Sequence, residues 1–181
     1  MSHYRRANVT GGSYFFTVVT ERRQRILIDE PIRNALRDAI EATRADHPFH
    51  IDGWVLMPDH LHTIWTLPDG DADFATRWRL IKSRVTRACG KSYLRPDLMT
   101  QRRDAKRYGT IWQHRYWEHQ LRDEADFQAH FDYMHINPVK HGLVKCVADW
   151  PWSSFHRHVQ AGVYPLDWGG HGGLALSTSG E

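Results

Sequence analysis

The chain predicts an α+β fold, a ferredoxin-like split β-α-β antiparallel sheet extended by an additional C-terminal helix. Three observations carry this. Segments with apolar periods of 2 and of 3.6 follow one another in the order β-α-β-β-α-β-α. A length of 181 residues suits one compact domain better than two. A hydrophobic fraction of 41% with 8 Trp suits a packed core rather than a disordered chain.

The first strand is read at residues 13–20, SYFFTVVT, which are aromatic and β-branched, with glycines before and charges after. Pro31 opens a helix in which Ile32, Leu36, Ile40 and Thr43 recur at helical spacing until His47-Pro48 breaks the pattern. Two apolar stretches, 51–57 and 61–67, are separated by Pro58-Asp59 and read as paired strands. Asp71 or Asp73 caps a second helix whose Phe74, Trp78, Ile81 and Val85 form one stripe. After an Arg-rich connection a fourth strand is expected over 110–121, and Asp123 caps a third helix ending near Asn137, ahead of Pro138. Residues 1–160 are thus expected to form one domain and the Gly-rich residues 161–181 a flexible tail.

The apolar run Tyr14–Val19 is too short for a signal-peptide core or a membrane span, so the reading is cytoplasmic with no membrane partner. Cys89 and Cys146 form no close pair and read as reduced thiols. The net charge is +3, but residues 71–110 carry 11 Lys and Arg against 4 Asp, or +7, which leaves the remainder at −4. That concentration of positive charge suits a phosphate backbone, although a solvated helix face would carry it equally well.

His60-Leu61-His62 falls on the third strand, where alternation sends both imidazoles to one face and Leu61 to the other. Two nitrogen ligands on a rigid strand make half a metal site. A second copy of the pattern, His156-Arg157-His158, shows how readily 13 His generate it. On the third helix Tyr133 and Asn137 are four residues apart and share its flank, beside a stripe of Phe127, Phe131 and Met134. A helical Tyr at a core margin is ordinarily packing, and Asn before Pro ordinarily ends a helix.

The runs MPDHLHTIW (57–65), IWQHRYWEHQLRDEADF (111–127), DYMHINPVKHGLV (132–144) and DWPWSSFHRHV (149–159), with YRR and GGSYFFTVVTERR at the start, resemble the REP-associated tyrosine transposases, relatives of the IS200-like single-tyrosine transposases. The likeness spans roughly residues 3–160. It implies the HUH nuclease fold, with the added helix catalytic, His60, His62 and Asn137 as metal ligands and Tyr133 as nucleophile. Insertion-sequence relatives tend to carry Gln where Asn137 stands. Two imidazoles and an amide suit Mg²⁺ or Mn²⁺, while zinc would also bind imidazole. The resemblance further implies a single-stranded DNA endonuclease and strand-transferase acting on REP palindromes folded as hairpins, through a 5′-phosphotyrosine. A hydrolytic metal nuclease and a non-catalytic hairpin-binding protein are the other readings. Candidate backbone contacts are Arg5, Arg6, Arg77, Arg84, Arg87, Lys91, Arg102, Arg103 and Lys140, and Trp78 and Trp112 are candidates for base stacking, Trp78 fitting the core better. Nucleoid association would follow from DNA binding, and both a monomer and a dimer are compatible with one active-site tyrosine per chain.

Overall fold

Aromatic and β-branched residues make β1 (Ser13–Val19), and alternation divides them between two layers. Tyr14, Phe16 and Val18 enter one apolar cluster and Phe15 the other. The computed structural model describes residues 9–106 and 108–170. After β1 come α1 (Glu30–Asp46), β2 (His50–Leu56), β3 (His60–Thr66), α2 (Phe74–Cys89), α3 (Gln101–Ala105), β4 (Trp117–Gln120), α4 (Glu124–Lys140) and α5 (Phe155–Gln160). The strands form one antiparallel sheet in the order β2-β3-β1-β4.

One face is covered by α1 and α2, whose Ile32, Leu36, Trp78, Ile81 and Val85 pack with Leu61 and Trp65 of β3. The other is covered by α4 and the chain that follows it, with Phe131 and Met134 packing on Phe15, Val55 and Ile64. α4 sits close because Gly53 presents no side chain: a Cβ built there would lie 1.8 Å from the Met134 terminal methyl.

Three expectations are corrected. The fourth strand is only four residues long, because residues 110–113 meet the chain just beyond β1: Glu21 N–H donates to the Ile111 carbonyl (2.8 Å) and Gln113 N–H to that of Val19 (3.0 Å). α4 runs through Pro138 to Lys140, since the missing N–H costs one bond while His141 N–H still donates to the Asn137 carbonyl at 2.9 Å. Residues 161–170 are not loose. The buried Tyr164 donates to Asp132 at 2.6 Å and its ring packs 4.4 Å from that of Trp168. The remainder of the Gly-rich stretch, and Arg5 and Arg6, lie outside the described residues. No helix among the described residues is long and apolar enough to cross a membrane.

Candidate active site

The register of the sheet builds the site. In antiparallel pairing, directly opposed residues share a face, so Val55, His62, Thr17 and Trp117 form one row across β2, β3, β1 and β4. Ile64, Phe15 and His119 form the next row. His60 lies two residues before His62 on the same face, and Leu61 enters the opposite core as alternation requires.

Both imidazoles are 3% exposed and their ring centroids are 4.8 Å apart. Each is oriented by its Nδ1. His60 Nδ1–H donates to the Asp59 carboxylate at 2.7 Å, and His62 Nδ1 shares a 2.9 Å hydrogen bond with the Thr17 hydroxyl. The other ring nitrogens are left for a ligand, and that of His62, Nε2, is buried with no hydrogen-bond partner among the described residues. A buried orphan costs stability unless something satisfies it, and the chemistry that fits a lone pair held in this way is a cation. Burial, reinforced by the charges of His60 and His141, holds the His62 pKa well below the usual imidazole value, which keeps the ring in its metal-binding, neutral form. Burial pushes the Asp59 carboxyl up, but its bond to His60, the His60 charge and Arg23 outweigh this and leave it lowered, hence ionised.

α4 brings the phenol over. The Tyr133 ring lies 5.6 Å from that of His62 and 6.2 Å from Phe15, with the Lys140 ammonium 4.8 Å from its centre. Asn137 is 1% exposed, so it is enclosed by the fold rather than facing an open cleft. Its amide nitrogen donates to the Tyr133 carbonyl at 3.2 Å, leaving Oδ1 as the atom able to meet an ion. The exposed His141, just past α4, stands 5.5 Å from His60 by ring centres. A second donor set, His119, Asp126 and His130, has ligand atoms within 4.8 Å of one another. The histidines and carboxylates on this face are thus compatible with a divalent metal.

The basic residues divide. Arg77 is 2% exposed and donates to the carbonyls of His47, Pro48 and Asp73 and to Asp71, so it clamps the α2 entrance and is withdrawn as a phosphate contact. Arg84 is engaged with Thr43 and Asp46 of α1. Arg87 and Lys91 are exposed, but α2 covers the sheet face opposite His60 and His62. Arg103 pairs with Glu21 and donates to the Gly109 carbonyl, whereas Arg102 and Lys140 are exposed. Trp78 is stacked on Trp65 at 4.2 Å and Trp112 is 6% exposed, so both are core residues and neither offers a face to a base. The second His-x-His lies on α5, where helical spacing splits it: His156 is exposed and His158 packs on Phe131. Sequence reasoning missed Asp59, Thr17 and His141, and also the exposed Arg22 and Arg23, which precede the Asp59 contact with φ of 50° and 51°. Cross-strand register reveals Thr17 and the far end of α4 reveals His141, while Asp59, Arg22 and Arg23 stand out only once the turns that carry them meet.

A tyrosine brought beside paired strand imidazoles on an α+β scaffold is matched by known proteins. The family model described as transposase, IS200 like, matches residues 8–136, a span that holds His60, His62 and Tyr133 and ends just before Asn137. A REP-associated tyrosine transposase of Escherichia coli is 47% identical over 171 residues, covering 94% of this chain and 92% of the relative. A Haemophilus influenzae relative is 42% identical over 176 residues, covering 97% and 98%. A solved REP-associated tyrosine transposase bound to a REP hairpin superposes with a TM-score of 0.78 at 46% identity, covering 97% of this chain and 96% of that one. The chain belongs to the IS200-like transposases and, within them, to the REP-associated tyrosine transposases.

Proposed function

We propose that this transposase cuts and rejoins single-stranded DNA beside REP-type hairpins, with Tyr133 as the nucleophile. The observation that carries the reading is the convergence of a paired motif with a ring distant in sequence: His60 and His62 lie 4.8 Å apart, and Tyr133 lies 5.6 Å from His62. The hairpin-bound relative, alike along almost the whole chain, supports the substrate class. Nucleoid association follows from such a substrate.

The phenol oxygen of Tyr133 attacks phosphorus in line with the 3′-oxygen. The P–O bond to that oxygen breaks, the phenol gives up its proton, and the departing 3′-oxygen gains one. The products are a 5′-phosphotyrosine and a free 3′-hydroxyl. Because the ester retains the energy of the bond it replaced, attack by a second 3′-hydroxyl rejoins strands without ATP. A protonated phenol is a weak nucleophile, and Lys140 places a positive charge against the ring where phenolate character develops. His60 and His62, through their free nitrogens, with Asn137 Oδ1, would hold a divalent ion, Mg²⁺ or Mn²⁺ by ligand chemistry. When bound, that ion supplies Lewis-acid polarisation of a non-bridging phosphate oxygen. Asp59 and Thr17 fix the two rings, and the packing of α4 fixes the phenol.

Incubation with a labelled hairpin carrying a single-stranded flank, followed by denaturing electrophoresis, tests this. The expected result is a protein–DNA adduct that Tyr133→Phe abolishes while hairpin binding survives. An adduct formed by Tyr133→Phe, or cleavage with no protein attached to the 5′ end, overturns the assignment; the latter outcome is that of a hydrolytic nuclease.

A further inference from the structure

Trp117 is 50% exposed on β4, an edge strand of the sheet, and makes no part of either core cluster. A large aromatic left half in water gives up much of its burial energy. Its ring is nonetheless held in place. It lies parallel to His119, 4° apart in plane, and His119 stacks on His130 with ring centres 4.5 Å apart. Phe15 meets Trp117 edge-on at 5.7 Å.

The two imidazoles are locked by Asp126. His119 Nε2–H donates to its carboxylate at 2.9 Å, and His130 Nδ1–H donates to its backbone carbonyl at 2.8 Å. The same carboxylate oxygen accepts from the N–H and Nε of Arg122. These bonds fix the planes of both imidazoles. What remains is a rigid, parallel aromatic stack with an open outer face.

Its position relative to the nucleophile is set by register. Trp117 shares the sheet row of His62 and Thr17, two strands from His62, or about 10 Å at the usual strand spacing. Phe15 touches Trp117, His62 and Tyr133 alike. A strand whose phosphate sits between Tyr133 and the paired imidazoles, and which runs toward β4, brings a neighbouring nucleotide within reach of the Trp117 ring.

Resting on the function proposed above, we propose that Trp117, braced by His119 and His130, is the platform on which an unpaired base flanking the scissile phosphate stacks. Unpaired bases stack on aromatic side chains irrespective of their hydrogen-bonding edges, so the platform orders the strand without reading its sequence.

The test is binding of a hairpin with a single-stranded flank in which each flanking nucleotide in turn is abasic, using wild type, Trp117→Ala and Trp117→Phe. With wild type, one abasic position is expected to weaken binding by roughly fivefold to a hundredfold. Trp117→Ala weakens the intact flank by a similar factor and makes that abasic position costless, while Trp117→Phe retains most of the affinity. A blunt hairpin without a flank binds alike to wild type and Trp117→Ala, which shows that the variant is folded. Equal affinity of wild type and Trp117→Ala for the intact flank overturns the platform, as does an abasic cost identical in both proteins at every position, and either result leaves the proposed function standing. If wild type binds no flanked hairpin, the function itself fails and the platform with it.

Discussion

Gly53→Ala tests whether α4, and with it the Tyr133 phenol, is seated by steric contact with the sheet. The added Cβ would lie 1.8 Å from the Met134 methyl, 3.1 Å from Phe131 Cε2 and 3.3 Å from the Met134 sulfur. Carbon atoms rest about 3.5–4.0 Å apart, so the Met134 methyl must move by about 2 Å or α4 must lift. Met134 is fully buried among Phe131, Ile136 and Val55, which leaves its side chain little room to turn aside. Overpacking of this kind costs about 1–3 kcal/mol, and at roughly 2–4 °C per kcal/mol for a chain of this size the thermal midpoint should fall by roughly 2–12 °C. Tyr133 precedes Met134, so any lift also draws the phenol from His62, and a displacement of about 1 Å is expected to slow adduct formation on the order of 100-fold. Thermal unfolding and single-turnover adduct formation measure the two effects. The control is Met134→Ala, which removes the atoms in the way: in that background Gly53→Ala should cost little. Costs that add within about 0.5 kcal/mol across the two backgrounds would refute the steric seat.

Two further outcomes follow from the buried histidines. Burial lowers His135 from 6.5 to about 3, against a smaller opposing effect of the Phe131 carbonyl, while its Nε2 holds Ser154 at 2.9 Å. The unfolded chain takes up this proton below about pH 6.5 and the native state does not, so the stability is fully present above 6.5 and is lost as pH falls towards 3, about 2 kcal/mol of it by pH 5. His62, and to a lesser degree His158, titrate in the same sense, so the measurement is a difference: denaturant unfolding between pH 6.5 and 4.5 should show a slope smaller by about one proton in His135→Gln, and an unchanged slope refutes the assignment. Thr17→Val keeps the side-chain shape but removes the hydroxyl that orients His62, and should weaken Mn²⁺ binding by roughly tenfold in a calorimetric titration of chelator-treated protein. Unaltered affinity would mean that His62 is not a ligand or needs no orienting partner.

Those parts of the fold whose signal is local were legible in the sequence. The alternating Tyr14–Val19, the stripe of Trp78, Ile81 and Val85, and the His-x-His on a strand each express a period of one element, and the structure follows each of them. The departures arise where tertiary contacts override such signals. Pro138 looks like a helix stop, yet Ile136 shares an apolar cluster with Val147, Phe155 and Tyr164, and Asn137 and Pro138 are buried beside it as α4 runs on. Arg77 looks like surface charge, yet carbonyls of the turn after α1 reach it across 29 and 30 residues. Tyr164 lies in a Gly-rich stretch that reads as loose, yet the Asp132 carboxylate on α4 and the rings of Phe131, Phe155 and Trp168 hold it.

The distribution of the site over two kinds of element has a physical consequence. The paired imidazoles stand on β3, hydrogen-bonded between β2 and β1, and their orienting partners are a strand residue, Thr17, and the tight-turn residue Asp59. The phenol stands on α4, which meets the sheet through side chains alone, chiefly Phe131 and Met134 over Gly53 and Phe15. Moving β3 would break ladder hydrogen bonds on both sides, whereas moving α4 breaks no ladder, only side-chain contacts such as the His119–Asp126 hydrogen bond and the packing of a flexible methionine. A covalent intermediate demands that the nucleophile come close to phosphorus, carry the 5′ end, and admit a second 3′-hydroxyl. On the proposed mechanism, the rings that would hold the phosphate stand on a central strand of the sheet, and the attacking phenol stands on a helix whose shift breaks no ladder hydrogen bond.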